Sequence, residues 1–138
     1  MNFSLFLHAA NIGFMLMFTV VVAPAVFRVL SQKAAASYLR VLFPRLFLFG
    51  FATSSAAAAI SLFENALLNT AFSTMIALGF LFNALILTPQ INQYRDRAIT
   101  GDADAEKTFK RLHLFSVVIF VSQFFASFYV IIAESYYA

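Results

Sequence analysis

The chain has no cysteine among its 138 residues, which excludes disulfides, thiolate zinc sites, iron–sulfur clusters and cysteine nucleophiles. The same absence leaves the redox compartment unreadable. Charge is scarce too: Asp, Glu, Lys and Arg make up 11% of the residues, where soluble domains carry roughly a quarter. Lys and Arg are missing altogether between Arg45 and Arg95 and after Arg111. What fills the chain is apolar, with 62% hydrophobic residues and 19 Phe, the composition of a membrane protein. The formal charge of +3 would suit nucleic acid, but the basic residues sit in two short clusters beside long apolar runs, where they set membrane orientation instead. Nucleic acid is not an expected partner.

A helix needs about 20 apolar residues to cross the hydrocarbon core, and four runs reach that length, at 3–27, 41–62, 66–89 and 112–133. Backbone groups cannot go unpaired in lipid, and these runs are too long for barrel strands of about ten residues, so all four read as helices. The first is not read as a secretory signal, because Met1 to Ser4 carries no positive side chain and the apolar stretch is too long, in spite of Ala23, Pro24 and Ala25. It is expected to be retained, giving one membrane domain over residues 1–138.

Arg28, Lys33, Arg40 and Arg45 surround the first connection, and Arg95, Arg97, Lys107, Lys110 and Arg111 belong to the third, which accounts for all nine basic residues. The second connection carries only Glu64 and the C-terminal end only Glu134. By the positive-inside bias, the first and third connections are cytoplasmic and both termini lie outside. The predicted fold is all-α, an antiparallel bundle of four transmembrane helices, and its size and lack of a targeting segment suit a bacterial inner membrane. The third connection, Gln90 to Arg111, is the only sizeable polar segment. Gly101 and Asp102 read as its turn, with Asp104 to Lys110 continuing helically into the last span.

Pro24 lies inside the first apolar run, where its missing N–H is expected to kink or loosen the turns before Arg28. Pro44 reads as the tolerated start of the second span and Pro89 as the end of the third. Small residues recur at helical spacing in Gly50, Ser54 and Ala58, and in Ala66, Thr70, Ser73 and Ala77. Such faces allow close backbone approach and are expected to meet in the hairpin of spans two and three.

Polar residues inside spans are costly and are the first place to seek function. His8 and Asn11 share a face of span one with Met15 and Thr19; it is either a packing face or a ligand, proton or substrate contact. His113, Ser116, Phe120, Gln123 and Ser127 make a mildly polar seam along span four, which interhelical packing explains more cheaply than a conduit. Asn83 is the deepest strongly polar residue and is expected to face the bundle. His8, Asn11, Asn83 and Gln123 are thus the predicted buried polar set.

Two histidines invite a haem between them, but His8 lies some 20 residues from Arg28, about 30 Å of helix rise, while His113 stands beside Arg111. They are expected at opposite faces, so no haem or copper site is predicted, although Met15 and Met17 near His8 keep a minor copper reading open. Asp102, Asp104 and Glu106 lack the spacing of a calcium loop. No metal or other cofactor is predicted. After span three, Arg95 and Asp96 can pair, or Arg95 and Arg97 can meet anionic lipid head groups.

Val22 to Phe27, Leu42, Phe43 and Pro44, Leu87 to Asn92 with Arg95 and Asp96, and Phe109 to His113 with Ser116 together resemble the small four-span membrane proteins of the TMEM205-like group, also called DUF4149. The resemblance covers nearly the whole chain, and it implies little about activity because the family has no established biochemical one. It singles out Pro24, Phe27, Phe43, Pro44, Pro89, Asn92, Arg95, Asp96, Lys110, His113 and Ser116, which the topology gathers at the cytoplasmic ends of the spans.

Spans one, three and four are expected to converge there in a closed ring, which also keeps the polar residues away from lipid. Arg95 is expected to donate to carbonyls freed by Pro24 or to Asp96. No catalytic constellation is present, so the expected role is that of a non-enzymatic accessory or interaction subunit, with lipids and other membrane subunits or further copies as partners. One alternative is a small transporter or ion- or metal-handling protein acting as an oligomer, since four short helices enclose little volume. The other is a haem-binding redox protein through His8 or His113.

Overall fold

The computed structural model describes residues 3–137, leaving Met1, Asn2 and Ala138 and whatever was expected of them outside the described residues. The described chain is helical almost throughout. Four helices are long and apolar enough to cross a membrane, Phe3–Val29, Gln32–Phe63, Leu67–Ile99 and Ala103–Tyr136. They run well past the apolar stretches at the Lys- and Arg-rich end, and this corrects the non-helical reading of Gln90 to Ile99, while the turn at Gly101 and Asp102 and the helical run from Asp104 to Lys110 lie where expected. Only Thr100–Asp102 interrupts the helices there.

The turns have local causes. Ser31 caps the second helix by accepting from the Ala34 N–H. The second and third helices both end with a residue at positive φ, Asn65 at 58° and Gly101 at 98°, types that tolerate this region. In each case the next two N–H groups turn back onto the last turn, Asn65 to Leu62 and Ala66 to Ser61, then Gly101 to Ala98 and Asp102 to Arg97, which satisfies carbonyls the helix leaves free. Asp102 then caps the fourth helix through the Ala105 N–H.

The prolines act in a common way at two places. A five-residue π-helical turn, Phe18–Val22, precedes Pro24, and another, Asn83–Leu87, precedes Pro89. A wider turn is one way to absorb the bond a proline removes, because the N–H of Ala23 reaches Phe18 and that of Thr88 reaches Asn83. Pro89 therefore does not end the third helix, which continues to Ile99. Pro44 lies inside the second helix and not at its start.

The packing forms a ring that closes at one end. Ser4 meets Ser61, Asn11 meets Ser54 and Phe18 meets Phe43, so the first and second helices run in opposite senses. Asn69 with Glu134, Ile76 with Gln123 and Asn83 with Ser116 give the same relation for the third and fourth. Gly50 lets the ring of Phe80 lie where a β-carbon would stand, 2.7 Å from its Cζ. That close approach is the one expected of the small-residue faces, but Ser54 and Ser73 turn to the first helix instead, and Ala57 and Ser61 are buried where Ala58 is half-buried. Met15, Phe47, Ile76, Phe80 and Ala84 form the central apolar core.

Candidate functional site

The ring opens at the basic end. Phe3–Met17 packs against the fourth helix, whereas beyond the π turn Ala23–Val29 rests only on the second helix. The Phe18 ring still reaches Phe120, 6.5 Å between centroids, but the backbones have parted. A cavity of about 580 Å³ fills the gap, within the range of small-molecule sites.

Each wall is one helical face. The third helix contributes Thr88, Ile91, Asn92 and Arg95, and the second Leu39, Arg40, Phe43 and Phe47, both at the three- and four-residue steps of a single stripe. The fourth helix lines it from Phe109 through His113, Ser116 and Phe120 to Phe125, about 24 Å of rise. Met15, Leu16, Phe18, Thr19, Ala23 and Phe27 complete it. Leu16, Phe27, Val117, Val121 and Phe125 are also exposed, so the cavity communicates sideways with whatever surrounds the helices. Its interior is aromatic and aliphatic, and its polar groups gather toward Arg40, Asn92, Arg95 and His113.

The two arginines differ. Arg40 is bound to Asp96, with Nη1 at 3.2 Å from Oδ2 and Nη2 at 2.5 Å from Oδ1, which ties the second helix to the third. Asp96 is therefore not the partner of Arg95. The Arg95 guanidinium lies 5.9 Å from the centroid of the Phe109 ring and has no salt bridge among the described residues. Arg95 was expected to donate to the carbonyls beside Pro24, and it does not, because Ala23–Val29 rests on the second helix alone. Arg97 instead pairs with Asp102 at 2.7 Å.

Of the predicted cluster, Phe27, Asn92, Arg95, His113 and Ser116 line the cavity together. Pro24, Pro44 and Pro89 do not line it, although their neighbours Ala23, Phe43 and Thr88 do, and Asp96 contributes only through Arg40. Phe27 and Ser116 thus face one space without the packed convergence expected of spans one and four. Sequence reasoning missed Met15, Phe18, Thr19, Arg40, Phe47, Thr88, Ile91, Phe109 and Phe120 as lining residues. The signal was present in Thr88, Ile91, Asn92 and Arg95, whose helical spacing carries across Pro89.

His8, Asn11, Asn83 and Gln123 are all buried. His8 Nε2 lies 2.9 Å from the Ser73 hydroxyl, Asn11 donates to Ser54, Gln123 donates to the Ile76 carbonyl, and Asn83 accepts from Ser116. Thr19, expected to extend the His8 face, is exposed and bonds to the Met15 carbonyl. Counting residues from Ser73 to Asn83 and from Ser116 to His113 separates the two imidazoles by about 20 Å of rise, less than the apolar lengths implied. Among the described residues no three His, Asp or Glu side chains gather as metal ligands would.

No curated protein and no solved structure matches this sequence. Residues 6–100 match the family described as Domain of unknown function (DUF4149). With about two thirds of its length matched, this four-helix chain belongs to the DUF4149 family.

Proposed function

We propose that the protein is a non-enzymatic, lipid-binding membrane protein that takes an anionic amphiphile from the bilayer into the cavity between its first and fourth helices. The acyl chain lies along Phe120, Phe47 and Met15, and the head group meets Arg95 with Asn92 and His113. The observation that carries this is the placement of Arg95, a guanidinium without a salt bridge among the described residues, at the polar end of a long apolar cavity that opens sideways. Guanidinium is the donor fork suited to carboxylate or phosphate, and an apolar chamber excludes ligands without a hydrocarbon part.

In this reading the bundle is TMEM205-like, antiparallel, with its basic end cytoplasmic and both termini outside, as the Lys and Arg distribution supports, and it belongs in a bacterial inner membrane. Its role is accessory, presenting or sequestering lipid alone or within a larger membrane assembly. Transport is the second reading, favoured by a cavity that is open at one end and closed at the other by the apolar core of Met15, Ile76, Phe47 and Phe80.

Native mass spectrometry of gently solubilised protein tests the proposal. A single retained phosphatidylglycerol or fatty acid, reduced several-fold in Arg95→Gln, is expected. Equal retention of phosphatidylcholine, or no effect of the substitution, counts against it.

A further inference from the structure

The half of the bundle away from the cavity holds a second polar centre. His8 is fully buried, one ring nitrogen is engaged by Ser73, and the other, Nδ1, has no hydrogen-bond partner among the described residues. The buried hydroxyl of Ser127 is in the same position. Asn69 pairs with Glu134 and Ile76 with Gln123, so Ser73 and Ser127, each four residues on from Asn69 and Gln123, fall between these pairs at one level. That is the level of His8. Groups of this kind are seldom left bare in an apolar surround, because an unmade bond costs more than a made one returns.

We propose that His8, with Ser73 and Ser127, is a proton-binding site, reached from the end of the bundle that carries Glu64 and Glu134 and sealed from the cavity by Met15, Ile76, Phe47 and Phe80. Imidazole is the side chain whose charge changes near neutral pH. The imidazolium needs two acceptors; the Ser73 hydroxyl is already at one ring nitrogen, and the Ser127 hydroxyl at the same level, unpartnered among the described residues, serves the other through a water. Around it the second helix presents Ser54 and Ser61, and the third presents Ser73 and Asn69, none of which titrates. The fourth presents Glu134, held by Asn69 at 3.0 Å, with Tyr129 and Tyr136 exposed; Glu64 lies in the turn. No Lys or Arg occurs in this half. Toward the outside, Ser4 and Ser61 meet at 2.9 Å one turn from His8; toward the cavity the apolar core intervenes.

The chain has two histidines, so ring ¹⁵N spectra of the full-length protein in vesicles of one orientation read both, with His113→Asn assigning the signals. Acidifying the Glu134 side from pH 8 to 4 is expected to convert His8 from neutral ring to imidazolium, and acidifying only the other side is not. Ser127→Ala, a small change in a buried place, is expected to lower the midpoint by about half a pH unit or more, the scale of one lost hydrogen bond. A His8 ring that keeps one neutral tautomer throughout overturns the site, and so does a midpoint unmoved by Ser127→Ala. Titration from the cavity side overturns the seal.

Discussion

Ser116 donates its hydroxyl to Oδ1 of Asn83 across 2.6 Å, joining the fourth helix to the third where the cavity meets the apolar core. Asn83 also opens the second π turn, and its backbone oxygen accepts the Thr88 hydroxyl at 2.8 Å. One residue therefore links helix pairing to the widened turn before Pro89. A double-mutant cycle on Asn83→Ala and Ser116→Ala is expected to give a coupling of about 0.5–2 kcal/mol, the range of interhelical hydrogen bonds in membranes. Additive effects in a steric-trapping measurement would separate the two roles.

Gly50 is expected to be intolerant of enlargement. A β-carbon there falls 2.7–2.8 Å from three atoms of the Phe80 ring, and Phe80 is fully buried, so the ring has nowhere to go. Gly50→Ala should cost about 1–3 kcal/mol, while Gly13→Ala, with open space around it, should be neutral or better. The same unfolding measurement compares them, and equal stability of the two variants would refute the contact.

Much of this was legible beforehand, for identifiable reasons. Apolar run length disclosed the four helices because lipid leaves the backbone no other way to satisfy itself, and His8, Asn11, Asn83 and Gln123, expected inward because lipid tolerates polar groups poorly, are buried. The helix ends were less legible, since hydropathy stops at Pro89 while the backbone, relieved by a π turn, does not. Part of the cavity's lining was legible, in the stripe of Thr88, Ile91, Asn92 and Arg95, but the open space itself was not. It exists because the first helix departs from the fourth after Met17, and a proline in the sequence does not say in which direction the chain will lean. Arg40, twelve residues from Arg28 and read only as an orientation charge, proved to be the partner of Asp96.

That partnership leads to an expectation with an unusual sign. Arg40 lines the cavity but is neutralised by Asp96. The pair is well exposed and contributes little to stability, about 0–1 kcal/mol. Asp96→Asn should therefore leave folding nearly intact while releasing a second cation to the cavity, strengthening retention of anionic lipid several-fold in competition with phosphatidylcholine. Weaker retention would show that the pair is needed to shape the site.

Asp102 supplies the acid sensitivity of the turn outside the spans. The Ala105 backbone N–H first, and then the Arg97 guanidinium, hold its carboxyl below the usual carboxylate range. The folded value is the lower one, so the stabilisation is complete above the unfolded value and is lost as pH falls through the folded value. The contribution of Asp102 to the melting temperature should be constant from neutrality to about pH 5 and be lost below about pH 4, so the acid decline below about pH 4 should be shallower in Asp102→Ala. An unchanged acid slope in that variant would remove the cap from the explanation.

The occupancy of the cavity is most directly read with a fatty acid carrying a photoreactive group at its chain end, reacted in membranes and mapped by peptide mass spectrometry. Labels are expected inside the cavity, on Met15, Phe47 or Phe120, reduced several-fold in Arg95→Gln and suppressed when Val117→Trp fills the lateral opening. Labels confined to outward residues such as Leu85 and Phe128, indifferent to both substitutions, would contradict lipid binding in the cavity.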